Sequence, residues 1–136
     1  MESPVGIAAN LVGLRVLIVE DEPLVAMSLS EVIEAEGCII AGEAGTIADA
    51  LAIVATATFD VAVLDLNLHG KQADEVASAI LLRGRAVVFA TGSGASGVAS
   101  KFHGWPILCK PYTDEAVLAS LAGARRWRQS AKLVAS

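Results

Sequence analysis

Aromatic side chains are scarce in this chain of 136 residues, which has two Trp, one Tyr and three Phe. A flavin site wants aromatic flanks in its loops, and too few rings are present to supply them. Trp105 and Trp127 read as packing residues rather than as a platform for a nucleotide. Cysteine is nearly absent. Cys38 and Cys109 lie far apart in apolar runs with no metal-type spacing, and they read as small buried hydrophobes of a reducing compartment. The two histidines, His69 and His103, have no second ligand spaced with either, so both read as loop or surface residues. Positive charge is in deficit, with a formal net charge of −5. Nucleic acid or an anionic membrane as main partner demands a positive footprint that the chain lacks. Arg125, Arg126 and Arg128 make a short basic cluster, read as a solvated helix end that complements the helix dipole. No apolar run reaches the roughly 18 residues of a membrane span. The first residues include Glu2 and no basic region, unlike a signal peptide. These absences fit a soluble cytoplasmic protein.

What is abundant is aliphatic mass. Hydrophobic residues make up 54% of the chain and are mostly Ala, Val, Leu and Ile, as expected of one compact α/β domain with helices packed on a buried sheet. Residues 1–13 form an apolar arm punctuated by Pro4, Gly6, Asn10 and Gly13, for local packing or self-association; the domain proper is expected over 14–136. Leu14 to Val19 reads as a first strand, ending abruptly in Glu20, Asp21 and Glu22. Pro23 suits a first helical turn, Val25, Leu29, Val32 and Ile33 recur at helical spacing, and Gly37 closes that helix. Cys38 to Ala41 reads as a second strand. Thr46 and Asp49 resemble a capping box ahead of a helix whose face is Ile47, Leu51 and Val54. Val61 to Leu64 is a third strand, running into Asp65 and breaking at Asn67, His69 and Gly70. A helix follows from about Ala73 to Leu82, then a fourth strand from Ala86 to Ala90 ending at Thr91.

Residues 92–104 differ from everything before them. Gly92, Gly94, Gly97 and Gly104 are crowded among serines, and each glycine inside a helix costs about 1 kcal/mol relative to alanine. Any helix there is weak or short. The stretch also lacks the lysine spacing of a nucleotide-binding P-loop. Ile107 to Cys109 reads as a fifth strand leading to Lys110-Pro111, and Thr113 caps a long final helix with Asp114 and Glu115 in its first turn. Strands alternating with helices predict a parallel sheet with right-handed crossovers, covered on both faces.

In such a sheet the site lies beyond the carboxyl ends of the strands. Glu20, Asp21, Asp65, Thr91 and Lys110 all sit there and should converge. Three carboxylates so placed repel one another unless a cation neutralises them, and hard oxygen ligands favour Mg²⁺. A hydroxyl and an ammonium complete a cradle for a transferred phosphoryl group, with Asp65 as nucleophile.

Leu-Ile-Val-Glu-Asp-Glu-Pro at 17–23, Asp65 after a buried strand, Phe-Ala-Thr-Gly at 89–92 and Lys110-Pro111 together resemble the receiver domain of two-component response regulators. The resemblance covers roughly residues 14–125. It implies the flavodoxin-like doubly wound fold with five parallel strands in the order 2-1-3-4-5. It implies phosphorylation of Asp65 by a sensor histidine kinase or a histidine phosphotransfer protein, and switching of a surface for a downstream protein partner. Asp21 matches the direct Mg²⁺ ligand, Glu20 the acid that holds the metal through water, and Asn67 the position whose backbone carbonyl binds it. Thr91 matches the switch hydroxyl, and Lys110 the lysine that contacts the phosphoryl group, its bond to Pro111 usually cis. Phe-Ala-Thr-Gly and Lys-Pro-Tyr are similar to the single-domain, Phe-Ala-Thr-guided subgroup.

The chain departs from the family where Ile107 stands in place of a common aromatic residue, and where His69 stands in place of a common proline. Ser93 and Gly94 also replace the subgroup's bulky and aromatic residues. Self-phosphorylation and self-dephosphorylation are expected, without turnover of an external substrate. A homodimer through 92–104, the fifth strand and the last helix is compatible with the pattern. The alternatives are a degenerate receiver acting as a constitutive interaction module and a small flavodoxin-like phosphohydrolase.

Overall fold

The computed structural model describes residues 11–135, with side chains to Gln129. The elements in chain order are β1 (Arg15–Val19), α1 (Pro23–Ala35), β2 (Ile39–Ala44), α2 (Ile47–Thr56), β3 (Val61–Asp65), β4 (Asn67–Leu68), β5 (Lys71–Gln72), α3 (Asp74–Leu82), β6 (Ala86–Thr91), β7 (Ile107–Cys109) and α4 (Asp114–Ala135). Five strands form one parallel sheet in the order β2-β1-β3-β6-β7. With the short β4–β5 hairpin set aside, that is the expected 2-1-3-4-5 order.

The strands alternate their side chains between two cores, as the pleat requires. Val16 and Ile18 of β1, Val61 and Val63 of β3 and Val88 of β6 pack with Ala26, Leu29 and Ile33 of α1 and Val117 and Leu121 of α4. Leu17, Val19, Ala62, Leu64, Val87 and Phe89 point the other way, onto Ala50 and Val54 of α2 and Val76, Ala77 and Ile80 of α3. Both faces of the sheet are therefore covered, and β3 and β6 are buried along their whole length. Leu11, within the arm, is fully buried against the α1–α4 face, and Gly13 N–H donates to the Gly37 carbonyl at 2.8 Å. Met1 to Asn10 lie outside the described residues. Among the described residues no helix is long and apolar enough to cross a membrane.

Local signals largely hold. Pro23 opens α1, Thr46 Oγ1 accepts from Asp49 N–H at 3.1 Å, and Thr113 Oγ1 accepts from Ala116 N–H at 3.1 Å. The glycine-rich stretch forms only two 3-10 turns, Gly94–Gly97 and Ser100–Phe102, anchored by Val98 and Phe102, which are buried. The Lys110–Pro111 bond is cis.

Four readings need correction. The second strand runs over Ile39–Ala44 and not Cys38 to Ala41; its register slips by one residue, Val16 facing Ile40 and Leu17 facing Gly42, and this leaves Ala41 over. Cys109 is exposed rather than buried, because β7 is a three-residue edge strand in which Leu108 is buried, Ile107 half-buried against the other core, and Cys109 left at the open end. Arg125, Arg126 and Arg128 lie mid-helix, since α4 continues to Ala135; Arg128 Nε donates to the Gly84 carbonyl at 2.7 Å, which is a tertiary role and not a dipole one. Finally, the β4–β5 hairpin is an element the periodicity did not suggest.

Candidate functional site

The carboxyl ends of β1, β3, β6 and β7 deliver Glu20, Asp65, Thr91 and Lys110 to one edge of the sheet. Glu20 and Asp65 are each 5% exposed and Thr91 8%, and they are the buried polar side chains among the described residues. Buried charge is costly unless it is paired. Here Lys110 Nζ pairs with both acids, at 2.8 Å from Asp65 Oδ2 and 3.3 Å from Glu20 Oε1. Partial burial opposes the Lys110 charge, but the hydrogen bond and charge of Asp65, reinforced by Glu20, hold its ammonium above its ordinary range. Glu20 moves the other way. Burial pushes its carboxyl up to about 7 and the Asp65 charge adds to this, while the Glu22 amide and Lys110 oppose it.

Asp21 stands at the rim. Burial alone would raise its carboxyl, but the His69 amide, a hydrogen bond with Glu20, its own backbone amide and the His69 charge together hold it below its usual range. One oxygen each from Glu20, Asp21 and Asp65 lie within 4.8 Å of one another. Three carboxylates against a single ammonium leave an unbalanced negative charge on hard oxygen donors. That donor set fits a divalent cation of the Mg²⁺ type, which binds through a few carboxylates and retained waters.

The other foreseen residues are placed differently. Asn67 N–H donates to Asp65 Oδ1 at 2.9 Å, and its side-chain carbonyl accepts from Gly70 N–H at 2.8 Å, so its amide oxygen is engaged within the turn. Thr91 Oγ1 accepts from Ser93 N–H at 3.0 Å and, among the described residues, bonds to neither Asp65 nor Lys110. The structure thus brings together Glu20, Asp21, Asp65 and Lys110, with Asn67 tied to Asp65 and Thr91 turned toward the loop that follows it.

Two further residues escaped the sequence reading. His69 N–H donates to Asp21 Oδ2 at 2.9 Å; the Asn67–Gly70 turn former directly after Asp65 was the available signal. Among the described residues the buried Tyr112 hydroxyl has no partner, and burial, followed by the Glu20 charge, pushes it up to about 12. Tyr112 also lines an open groove of about 610 Å³ beside Lys110, with Glu22, Leu24, Val25, Ser28 and Pro111.

The profile of the response regulator receiver domain matches residues 16–122. The chain belongs to the response regulator receiver family. As a receiver it is similar to SdrG from Sphingomonas melonis Fr1, whose solution structure is 41% identical with a TM-score of 0.74 over 82% of this chain and 96% of that one. It is also similar to the response regulator PhyR from Brucella abortus, at 26% identity and a TM-score of 0.79 over 96% of this chain and 55% of that one. The transcriptional regulatory protein PdtaR from Mycobacterium tuberculosis is 35% identical over 80 residues, 59% of this receiver and 39% of PdtaR. This chain therefore spans 39% of the length of the curated relative it matches.

Proposed function

We propose that Asp65 is a phosphoacceptor in a two-component relay. A carboxylate oxygen of Asp65 attacks the phosphorus of a phosphohistidine on a sensor histidine kinase or a histidine phosphotransfer protein. The P–N bond breaks, its electron pair returns to the imidazole nitrogen, and an acyl phosphate remains on Asp65. The observation that carries this reading is the Lys110 ammonium, 2.8 Å from Asp65 Oδ2 in a buried, otherwise acidic strand-end site. A carboxylate paired with a flexible cation is poised to attack, and the same cation can then follow the charge onto the phosphoryl oxygens.

Glu20, Asp21, Asp65 and the Asn67 backbone carbonyl are the residues that would hold Mg²⁺. When bound, the ion neutralises charge developing on the phosphoryl group. Thr91 accepts a hydrogen bond through Oγ1, which leaves its own proton to donate to a phosphoryl oxygen. The phosphodonor docks over the groove beside Lys110, where Leu24 is 75% exposed.

Phosphorylation then biases the surface made by 92–104, β7 and α4 toward a downstream protein partner or a second copy. With Ile107 where a ring is common, the change is an ordering of the glycine-rich segment, read as increased amide protection across 92–104 when a phosphoryl mimic is added. The central test is incubation with a small phosphodonor. One label per chain is expected, dependent on Mg²⁺ and absent from Asp65→Asn. Labelling of Asp65→Asn equal to that of the wild type sinks the assignment.

A further inference from the structure

The β4–β5 hairpin touches two acids of the site through its backbone. Asn67 N–H donates to Asp65 Oδ1, and two residues on, His69 N–H donates to Asp21 Oδ2, each at 2.9 Å. The second bond links residues 48 positions apart in the chain. It depends on an uncommon backbone: φ is +53° at His69 and +79° at Gly70. Positive φ at both central residues is what a two-residue type I′ hairpin loop requires. Histidine is among the few non-glycine residues enriched there, and the left-handed region still strains an L-residue. The Gly70 N–H bond to the Asn67 side chain braces the turn. The imidazole does not account for the contact, because Nδ1 lies 3.7 Å from Asp21 Oδ2 and the side chain is 61% exposed. The amide makes it.

Asp21 is the acid that needs such help. Glu20 and Asp65 are fixed by burial and by Lys110, whereas the Asp21 side chain is 18% exposed and has no link to Lys110. The His69 amide fixes Oδ2, and the carboxylate keeps acceptor capacity for a cation. Groups that orient a metal-binding carboxylate in this way commonly change metal affinity 10–100-fold.

We propose that His69 is a positioning residue for the cation site: its backbone amide, presented by the left-handed turn, holds the Asp21 carboxylate in the orientation that a divalent cation requires. This inference rests on the cation-dependent reading of the acid cluster given above. Proline has no N–H and could not make this bond.

The test is Mg²⁺ titration of the whole chain, followed by amide chemical shifts, with thermal stability measured alongside. His69→Gly keeps the N–H and favours positive φ, so its Mg²⁺ affinity should stay within about twofold of wild type. His69→Ala keeps the N–H at a cost in strain, so it should lower stability while keeping Mg²⁺ affinity; a merely structural role predicts no such separation. His69→Pro removes the donor and should weaken Mg²⁺ binding about tenfold or more. Where His69→Pro fails to fold, hydrogen exchange in the wild type decides. Protection of the His69 amide with and without Mg²⁺ supports the proposal, and its loss on Mg²⁺ binding overturns it. Equal affinity in His69→Pro and wild type overturns the positioning role and leaves the cation site standing. Absence of Mg²⁺ binding in the wild type removes both.

Discussion

The two halves of the site are held by different physics. On the acid side, between β1 and β3, each carboxylate carries a directed bond: Lys110 to Glu20 and Asp65, Asn67 to Asp65, His69 to Asp21. On the other side, after β6, the hydroxyl of Thr91 is held by one local amide, and the 92–104 segment behind it is attached by two apolar side chains, Val98 and Phe102. Under the proposed function, the chemistry needs fixed charge in the first half and a switch needs a nearby alternative in the second, which glycines and 3-10 turns would keep close in free energy.

This contrast can be broken at several points. The largest effect is expected at Phe102, which is 3% exposed with its ring 5.3 Å from that of Phe89. Phe102→Ala should cost about 3 kcal/mol in urea unfolding. A cost below 1 kcal/mol would mean that the segment is not anchored there. Next is Lys110→Met, which leaves Glu20 and Asp65 buried beside each other without their ammonium. Since Lys110 is partly exposed, a loss of about 2 kcal/mol is expected, largely restored by Mg²⁺. Failure of Mg²⁺ to restore it would show that the acid half is held by something other than charge balance.

Gly97→Ala comes third. Its added methyl would lie 2.9 Å from Thr91 Oγ1 and 3.0 Å from Ser93 Cβ, so a cost of about 1–2 kcal/mol is expected, with Gly92→Ala, which meets nothing within 4 Å, as the neutral control. Equal stability of the two would place Thr91 in a looser setting than described. The smallest effect is pH dependence. Glu20 binds its proton more tightly folded than unfolded, so the metal-free protein should lose on the order of 1 kcal/mol as pH rises from about 4.5 to about 7. Thermal melts across that window check the sign; stability that rises with pH would contradict the burial of Glu20.

Much of the acid half is legible in the sequence, because strand-end acids after β-branched runs announce both an element and its edge. Asp65, Asp21 and Lys110 could be placed by topology alone. The hairpin could not, since β4 and β5 are two residues each and too short to show a period. Cys109 misled because a three-residue edge strand has one buried position, and an apolar string does not reveal which. The arginines misled because the Gly84 carbonyl that receives Arg128 is 44 residues away. Thr91 was placed at the right strand end, but the direction of its hydroxyl depends on Ser93 and Gly97, whose close approach no spacing rule encodes.

The register slip at Ala41 has a bearing on solubility. β2 is an outer strand with Ile39 54% exposed, and an unpaired apolar edge invites other chains to add to the sheet. A surplus residue opposite β1, followed by Gly42 and the exposed Glu43, bends and interrupts that edge. The strand that most resembles an aggregation template is thereby made a poor one.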